Sequence, residues 1–307
     1  MAAQATLARE ARQQRSAGNA RARRFVDRLA TGMLWAAALF VVALLATFIV
    51  YMFYLGAGTI SWHFLTGLPS ELTAGGGVGP EIFNSFYILI LTLIFTVPIA
   101  LAAGIFLQEY ARTGPFREAV QFSAESLATV PSIVMGLFGL LVFVQTLRWG
   151  FSALAGAVTL TLLNLPALTR VTQEALSGVP ATYREASMAL GGTKWQTIVR
   201  GVLPSAIGPM TTGIVLISGR IFGETAALIY TAGTSVAHGS GAYDWNPFHT
   251  AETLAVHLWY THSEALIPDV DRIGNGSALV LLIMVLIFNV AARVIGRQLT
   301  IRFTGKS

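Results

Sequence analysis

The chain has no cysteine and little charge. Of its 307 residues only 11% are Asp, Glu, Lys or Arg, whereas 54% are apolar. The first absence excludes disulfides, zinc–thiolate sites and thiol nucleophiles, and says nothing about compartment. The second excludes an ordinary soluble domain, in which about a quarter of residues are charged. So few charges cannot cover the surface that so apolar a chain would expose. Two kinds of motif are also missing. No G-x-x-x-x-G-K-[ST] phosphate loop occurs, and Gly191-Gly192-Thr193-Lys194 lacks its spacing, so the chain by itself is not expected to bind or hydrolyse ATP. No serine-centred elbow or metal-binding helix motif appears either, so no catalytic residue is expected. The five histidines are His63, His238, His249, His257 and His262. His257 and His262 are five apart, which is not the i, i+4 pair a helical metal site favours, and no metal site is expected.

What the chain does have is long apolar runs. Residues 1–32 are polar and basic, with arginine at 9, 12, 15, 21, 23, 24 and 28. Met33 to Leu55 then runs without a charge. At about 1.5 Å per residue that run spans a hydrocarbon core of roughly 30 Å. A signal peptide fits less well, because the basic segment and the apolar run are both too long and no cleavage site follows. Further spans are expected over 85–107, 127–147, 151–169, 207–231 and 277–295, six in all. Pro98, Pro131 and Pro166 fall in them, as do Thr159, Thr161, Asn164, Arg220 and Glu224. Polar groups of this kind belong inside a bundle or along a wet cavity. Pro98 and Pro166 are expected to kink their helices, or the prolines and glycines to serve close packing.

Lysine and arginine set the orientation. With the N-terminus inside, 17 basic residues fall on the inner segments and two, Arg148 and Arg272, on the outer ones. Both termini, including Lys306, are therefore expected in the cytoplasm, and Glu71, His249 and the other histidines outside. The net charge of +5 then reflects topology and anionic lipid, not nucleic acid.

The segment between spans four and five, about residues 170–206, is far longer than a tight helix connection. Its sequence predicts a short helix from Thr182, a break at Gly191-Gly192 and a second helix ending before Pro204. Thr182 and Glu185 have capping-box spacing. Small residues at Ala186 and Ala189 leave room for another protein, although a plain surface helix on the membrane face has the same pattern. Glu185-Ala186-Ser187, Gly191 and Leu203-Pro204 resemble the EAA loop of ABC-importer permeases. That pattern is Glu-Ala-Ala, three residues, Gly, nine residues, Ile, one residue, Leu-Pro. Ser187 replaces the second alanine, and Gly201 stands where isoleucine is usual, which weakens packing of the second helix. The resemblance implies that this loop docks into an ATPase subunit.

From about Gly75 to Arg297 the chain is similar to phosphate permeases of the PstA type. The similarity is carried by Val130-Pro131-Ser132-Ile133-Val134-Met135-Gly136, by Leu163-Asn164-Leu165-Pro166, by Thr172-Gln173-Glu174-Ala175 and by Asn289-Val290-Ala291-Ala292-Arg293. Most specific is Ser218-Gly219-Arg220-Ile221-Phe222-Gly223-Glu224-Thr225-Ala226. Arg220 and Glu224, at i and i+4 within the fifth span, are expected to share one helix face. Either they form a structural ion pair, or the planar arginine fork contacts a moving phosphate, with Glu224 and Thr225 beside it. Gly219 and Gly223 form a small-xxx-small pair that suggests close helix contact.

The resemblance implies an all-α integral membrane fold, the type I ABC-importer permease bundle with six transmembrane helices. Residues 1–32 and 297–307 would be cytoplasmic tails around a permease domain at 33–296. It also implies partners: a second permease of the PstC type, an ATPase dimer of the PstB type, an extracytoplasmic phosphate-binding protein of the PstS type, and membrane lipid. No cofactor is expected in this chain, with ATP and Mg belonging to the ATPase. Competing readings are a permease for phosphonate, sulfate or molybdate, and a channel or secondary transporter that works without ATP. A docking loop of EAA spacing argues against the last.

Overall fold

A computed structural model describes residues 2–70, 73–236, 242–265 and 267–304, with side chains described between residues 26 and 298 of these and at 301. Glu71, His238 and Lys306, three markers of the expected topology, lie outside the described residues. Among the described residues every regular element is helical.

The chain forms two units, Met1–Leu55 and Gly56–Ser307. The first is the single helix α1 (Ala2–Gly56), with a membrane-length apolar stretch over Val26–Gly56. The apolar stretch starts earlier than the expected Met33. No proline interrupts the chain before Pro69, so nothing breaks the helix where the polar tail meets the apolar run.

The second unit begins with α2 (Trp62–Thr66) and α3 (Gly79–Ile105), which is extended by a π turn over Phe106–Tyr110. Then come α4 (Pro115–Ala128) and α5 (Ser132–Gly139), the latter followed by a π segment over Leu140–Thr146. α6 is Ala153–Ser177, α7 Ala181–Ala189 and α8 Lys194–Thr197; a π turn at Ile198–Val202 leads into α9 (Leu203–Phe222). The unit closes with α10 (Ala226–Ile229), α11 (Leu254–Ser263) and α12 (Val270–Thr304). Among the described residues five helices are long and apolar enough to cross a membrane, and six if α4 and α5 count as one bent span.

The second and sixth spans, Gly79–Tyr110 and Val270–Gln298, start earlier than expected, and the third, fourth and fifth differ as follows. α4 and α5 meet at 98°, so the third span starts at Ser132 instead of Leu127. The cause is Pro131, which disfavours a helical residue before it, while the Thr129 hydroxyl donates to the Ser126 carbonyl at 2.7 Å and closes α4. The fourth span runs on to Ser177. The fifth occupies Lys194–Phe222 instead of 207–231, and a separate short helix follows it.

Small residues bring the helices together. A Cβ on Gly104 of α3 would lie 2.6 Å from Thr172 of α6, and one on Gly213 of α9 would lie 2.2 Å from Val171 of α6. One on Gly136 of α5 would lie 2.8 Å from Ala227 of α10. Close backbone approach supplies the dispersion contact that holds helices together in lipid, where apolar burial gives little. The expected Gly219/Gly223 contact is not of this kind: a Cβ on Gly219 meets only Asn289, at 3.6 Å, and Gly223 ends α9. The core lies where α3, α6, α9, α11 and α12 meet, around Ile88, Leu160, Leu168, Ile221, Leu254 and Val280.

Polar groups in α6 are buried and bonded back to their own helix. Thr159 donates to the Ala155 carbonyl, Thr161 to that of Ala157 and Asn164 to that of Leu160, each at 2.8 Å. Thr96 of α3 reaches across to the Thr161 hydroxyl at 3.1 Å. Back-bonding to the carbonyl four residues earlier lets hydroxyls sit inside an apolar bundle without leaving donors unmet.

Candidate coupling loop and translocation residues

The connection between the fourth and fifth spans is shorter than expected, because α6 extends into it and α8 opens the next helical run. α7 begins after Pro180, with no side-chain cap. The proposed Thr182–Glu185 capping box is therefore absent, since both residues already lie inside the helix. The box forms at the next helix instead, where Thr193 accepts from the Gln196 backbone N–H and Gln196 accepts from that of Thr193. Gly191 turns the chain between the two helices with φ +82°, the left-handed conformation only glycine adopts without cost. The Ser187 and Thr197 hydroxyls meet at 2.8 Å and hold α7 to α8. The residue that departs from the Glu-Ala-Ala pattern thus fastens the loop.

Arg184 anchors the loop to the bundle, a role the sequence did not disclose. Its guanidinium donates to both Glu109 carboxylate oxygens, with the shortest contact at 2.6 Å. It also donates to the carbonyls of Val179 and Leu176, each at 2.9 Å. Glu109 lies in the π turn that ends α3, so one side chain joins the ends of α3 and α6 to α7. Lys194 sits 4.8 Å over the Tyr110 ring and adds a second link from the same turn.

Glu185, Ala186 and Gly191 are exposed, as are Tyr183, Met188, Leu190 and Trp195 around them. Leu190 is 90% exposed. An exposed apolar cluster on a short helix rigidly held from behind is suited to receive another protein. The second helix does not stop before Pro204. The π turn at Ile198–Val202 opens the hydrogen-bond ladder where proline lacks its donor, and the helix continues as α9. Leu203 packs against the buried cluster that includes Leu176, Val202 and Met210, while Pro204 and Gly201 line a groove of about 1100 Å³ between α6 and α9. A Cβ on Gly201 would touch nothing within 4 Å, so the missing isoleucine leaves space there.

Arg220 and Glu224 are not on one helix. α9 ends at Phe222, and Gly223 closes it with an N–H bond to the Arg220 carbonyl. Glu224 then turns away, and its carboxylate accepts from the Ala227 N–H at 3.4 Å at the start of α10. The Thr225 hydroxyl donates to the Gly223 carbonyl at 3.4 Å. Arg220 is exposed and forms no ion pair with any described residue. Phe222 fixes this helix end by edge-to-face contacts with Phe86 of α3 at 5.2 Å and Phe288 of α12 at 5.1 Å. A charged side chain exposed on a membrane helix faces a partner chain or water, since lipid would penalise it.

Sequence reasoning also missed a cluster at the far end of the bundle. Glu81, Glu252 and His257 are buried together, with their ligand-type atoms within 4.8 Å of one another. An acidic residue just ahead of an apolar run, Glu81 before Ile82-Phe83, was the available signal.

Comparison with known proteins agrees with this geometry. The chain is 41% identical to a probable ABC transporter permease protein, YqgI of Bacillus subtilis, over 92% of this chain and 99% of that one. It is 35% identical to the phosphate transport system permease protein PstA 1 of Mycobacterium tuberculosis, over 76% of this chain and 73% of that one. Among solved structures, a bacterial alginate ABC transporter shares the fold with a TM-score of 0.66 at 17% identity, covering 89% of this chain and 96% of that one. The profile of the binding-protein-dependent transport system inner membrane component family matches residues 97–304. This chain belongs to that family, and is a multi-pass membrane permease subunit of an ABC importer.

Proposed function

We propose that the chain is the PstA-type permease subunit of an ATP-driven importer of inorganic phosphate. The observation that carries this reading is its likeness to permeases named for phosphate transport, at 33% to 38% identity, together with the motif that contains Arg220. Arg220 supports it chemically, because an exposed guanidinium with no ion pair among the described residues offers a planar fork to phosphate oxygens. In this reading Arg220, Glu224 and Thr225 border the pathway. The α7 surface with Glu185, Ala186, Ser187 and Gly191, backed by Leu203 and Pro204, docks a PstB-type ATPase. A PstC-type permease completes the pathway, and a PstS-type protein delivers phosphate from outside. ATP and Mg bind the ATPase; ATP closes its dimer, α7 carries the motion, and the pathway opens outward. Both termini lie in the cytoplasm, as the 17-to-2 distribution of basic residues supports.

Uptake of labelled phosphate by the reconstituted four-component complex, with sulfate, molybdate and phosphonate as competitors, tests the substrate. ATP-dependent uptake inhibited only by unlabelled phosphate is expected. Preferential inhibition by another oxyanion would replace phosphate in this reading, and uptake without ATP would discard the docking role. Cysteines introduced at His249 and near the N-terminus test orientation, and outside labelling of the N-terminal site in intact cells would overturn it.

A further inference from the structure

Glu81 lies in the first turn of α3, directly after Pro80, and none of its surface is exposed. Neither of its carboxylate oxygens has a hydrogen-bond partner among the described residues. Such a group is costly to bury, and native interiors pair nearly all of them. His257 Nδ1 of α11 lies 3.7 Å from Glu81 Oε1, too far for a hydrogen bond. The same nitrogen lies 3.5 Å from Glu252 Oε1. Glu252 and His257 are themselves buried.

We propose that Glu81, Glu252 and His257 form a binding site for one divalent transition-metal cation of the zinc or manganese class. Donors held 2.0–2.2 Å from a shared tetrahedral ion lie about 3.3–3.6 Å apart, so the two observed separations need to close by a few tenths of an ångström at most. Two carboxylates and a neutral imidazole carry two negative charges, which a divalent cation neutralises. The imidazole nitrogen and the small number of oxygens select against calcium and magnesium, which demand more oxygen ligands. Three protein ligands leave a position open for water.

The surroundings hold the donors in place. His257 Nε2 faces the buried Thr261 hydroxyl at 3.4 Å, which turns Nδ1 toward the carboxylates. Asn84 of α3 donates to the Glu252 carbonyl at 3.0 Å, and the Leu254 N–H donates to the Ser85 hydroxyl at 2.9 Å. Backbone on both sides of Thr253 is thus pinned to α3 before any cation arrives. A bound cation fastens α11 and the loop before it to the start of α3, about 42 Å along that helix from Glu109. His262, which lacks a place in this group, points its Nδ1 at the Leu258 carbonyl, 3.0 Å away.

The test uses the full-length chain in detergent, purified without a histidine tag, stripped with chelator and then equilibrated with Zn²⁺, Mn²⁺ or Co²⁺. Elemental analysis after gel filtration should find about one equivalent of zinc or manganese per chain. Glu81→Gln and His257→Asn should each abolish retention, and His262→Asn should leave it unchanged. The wild-type chain should also show visible Co²⁺ d–d bands that added Zn²⁺ removes, which needs no variant to fold. Hydrogen exchange in residues 242–253 should slow on metal addition. No retained metal and no Co²⁺ bands in the wild-type chain would overturn the proposal and leave a proton-sharing cluster. Equal retention in Glu81→Gln or His257→Asn would overturn it equally.

Discussion

Removal of the Arg184 guanidinium should release the coupling loop from the bundle. That side chain is 22% exposed and its Glu109 partner 8%, so water competes for the pair only weakly. Arg184→Ala deletes two donations to backbone carbonyls, each worth about 1 kcal/mol net. It also strands the Glu109 carboxylate, and breaking a buried pair costs about 3–5 kcal/mol. For fully buried groups these come to about 5–7 kcal/mol; Arg184 is only partly buried, so solvent offsets part of the loss and about 3 kcal/mol remains. At 1.4 kcal/mol per tenfold, α7 should open about a hundredfold more often. Hydrogen exchange on the detergent-solubilised chain reads this directly. Amides of α7 should exchange about a hundredfold faster, while those in the middle of α6 should keep their rates. Arg184→Gln combined with Glu109→Gln should recover much of the loss, because no charge is left unpaired. Unchanged exchange in Arg184→Ala, or a double variant as damaged as the sum of its singles, would refute the anchoring role.

Gly191→Val should cost roughly 1–2 kcal/mol through its backbone alone, since a Cβ there meets nothing within 4 Å; ATP-driven uptake should fall while membrane levels of the chain, measured by immunoblot, hold. Ala186→Trp should abolish uptake and ATPase co-purification without unfolding the chain, and Glu185→Gln should weaken both, because the Glu185 carboxylate is exposed and makes no cap; a silent Glu185→Gln would exclude that carboxylate from docking. Arg220→Gln and Arg220→Lys should stop uptake with the ATPase still bound, and adding Glu224→Gln should not rescue them; restored uptake would mean a packing pair after all. In the loop before α11, the Asp244 carboxyl is held below the ordinary carboxylate value of 3.8 by the Asn246 N–H and by His249. Its contribution is therefore lost as pH falls below that value, so protection of the Asn246 and Phe248 amides should drop below about pH 4, and Asp244→Asn should abolish that acid dependence.

The parts of this protein legible in its sequence are those that one segment decides alone. Apolar runs located the membrane helices because lipid leaves a backbone no other partner than itself. Gly191 was legible because a left-handed turn has one cheap residue. Boundaries failed where a local rule had a competitor. Pro204 reads as a stop, yet the π turn just before it removes the bond that proline would have broken. Thr182 and Glu185 have cap spacing, yet Pro180 starts the helix first, and the same chemistry surfaces at Thr193 and Gln196. Arg220 and Glu224 have helical spacing, yet Gly223 between them ends the helix. The Arg184–Glu109 anchor was not legible, and the Glu81–Glu252–His257 cluster offered only Glu81 ahead of an apolar run, since their members lie 75 and as many as 176 positions apart and meet only through the folded bundle.

The geometry around α7 explains how force on one short exposed helix reaches the membrane interior. α7 is tied to α3 through Arg184 and Glu109, and to α8 through Ser187 and Thr197. Each tie ends at or beside a π turn, Phe106–Tyr110 on one side and Ile198–Val202 on the other. A π turn has poorer bond geometry than the α-helix on either side, so it is where a helix bends at least cost. Beyond the second turn α9 runs unbroken to Phe222, and Arg220 lies about 25 Å along it from Leu203. If an ATPase docks on α7 as proposed, its motion acts on two helix feet through charged and hydroxyl contacts, with a compliant turn at each. In the proposed reading α9, with Pro209 inside it, carries the displacement to the end where Arg220 stands with no ion pair among the described residues, and the aromatic contacts of Phe222 with Phe86 and Phe288 tie α3 and α12 to that end.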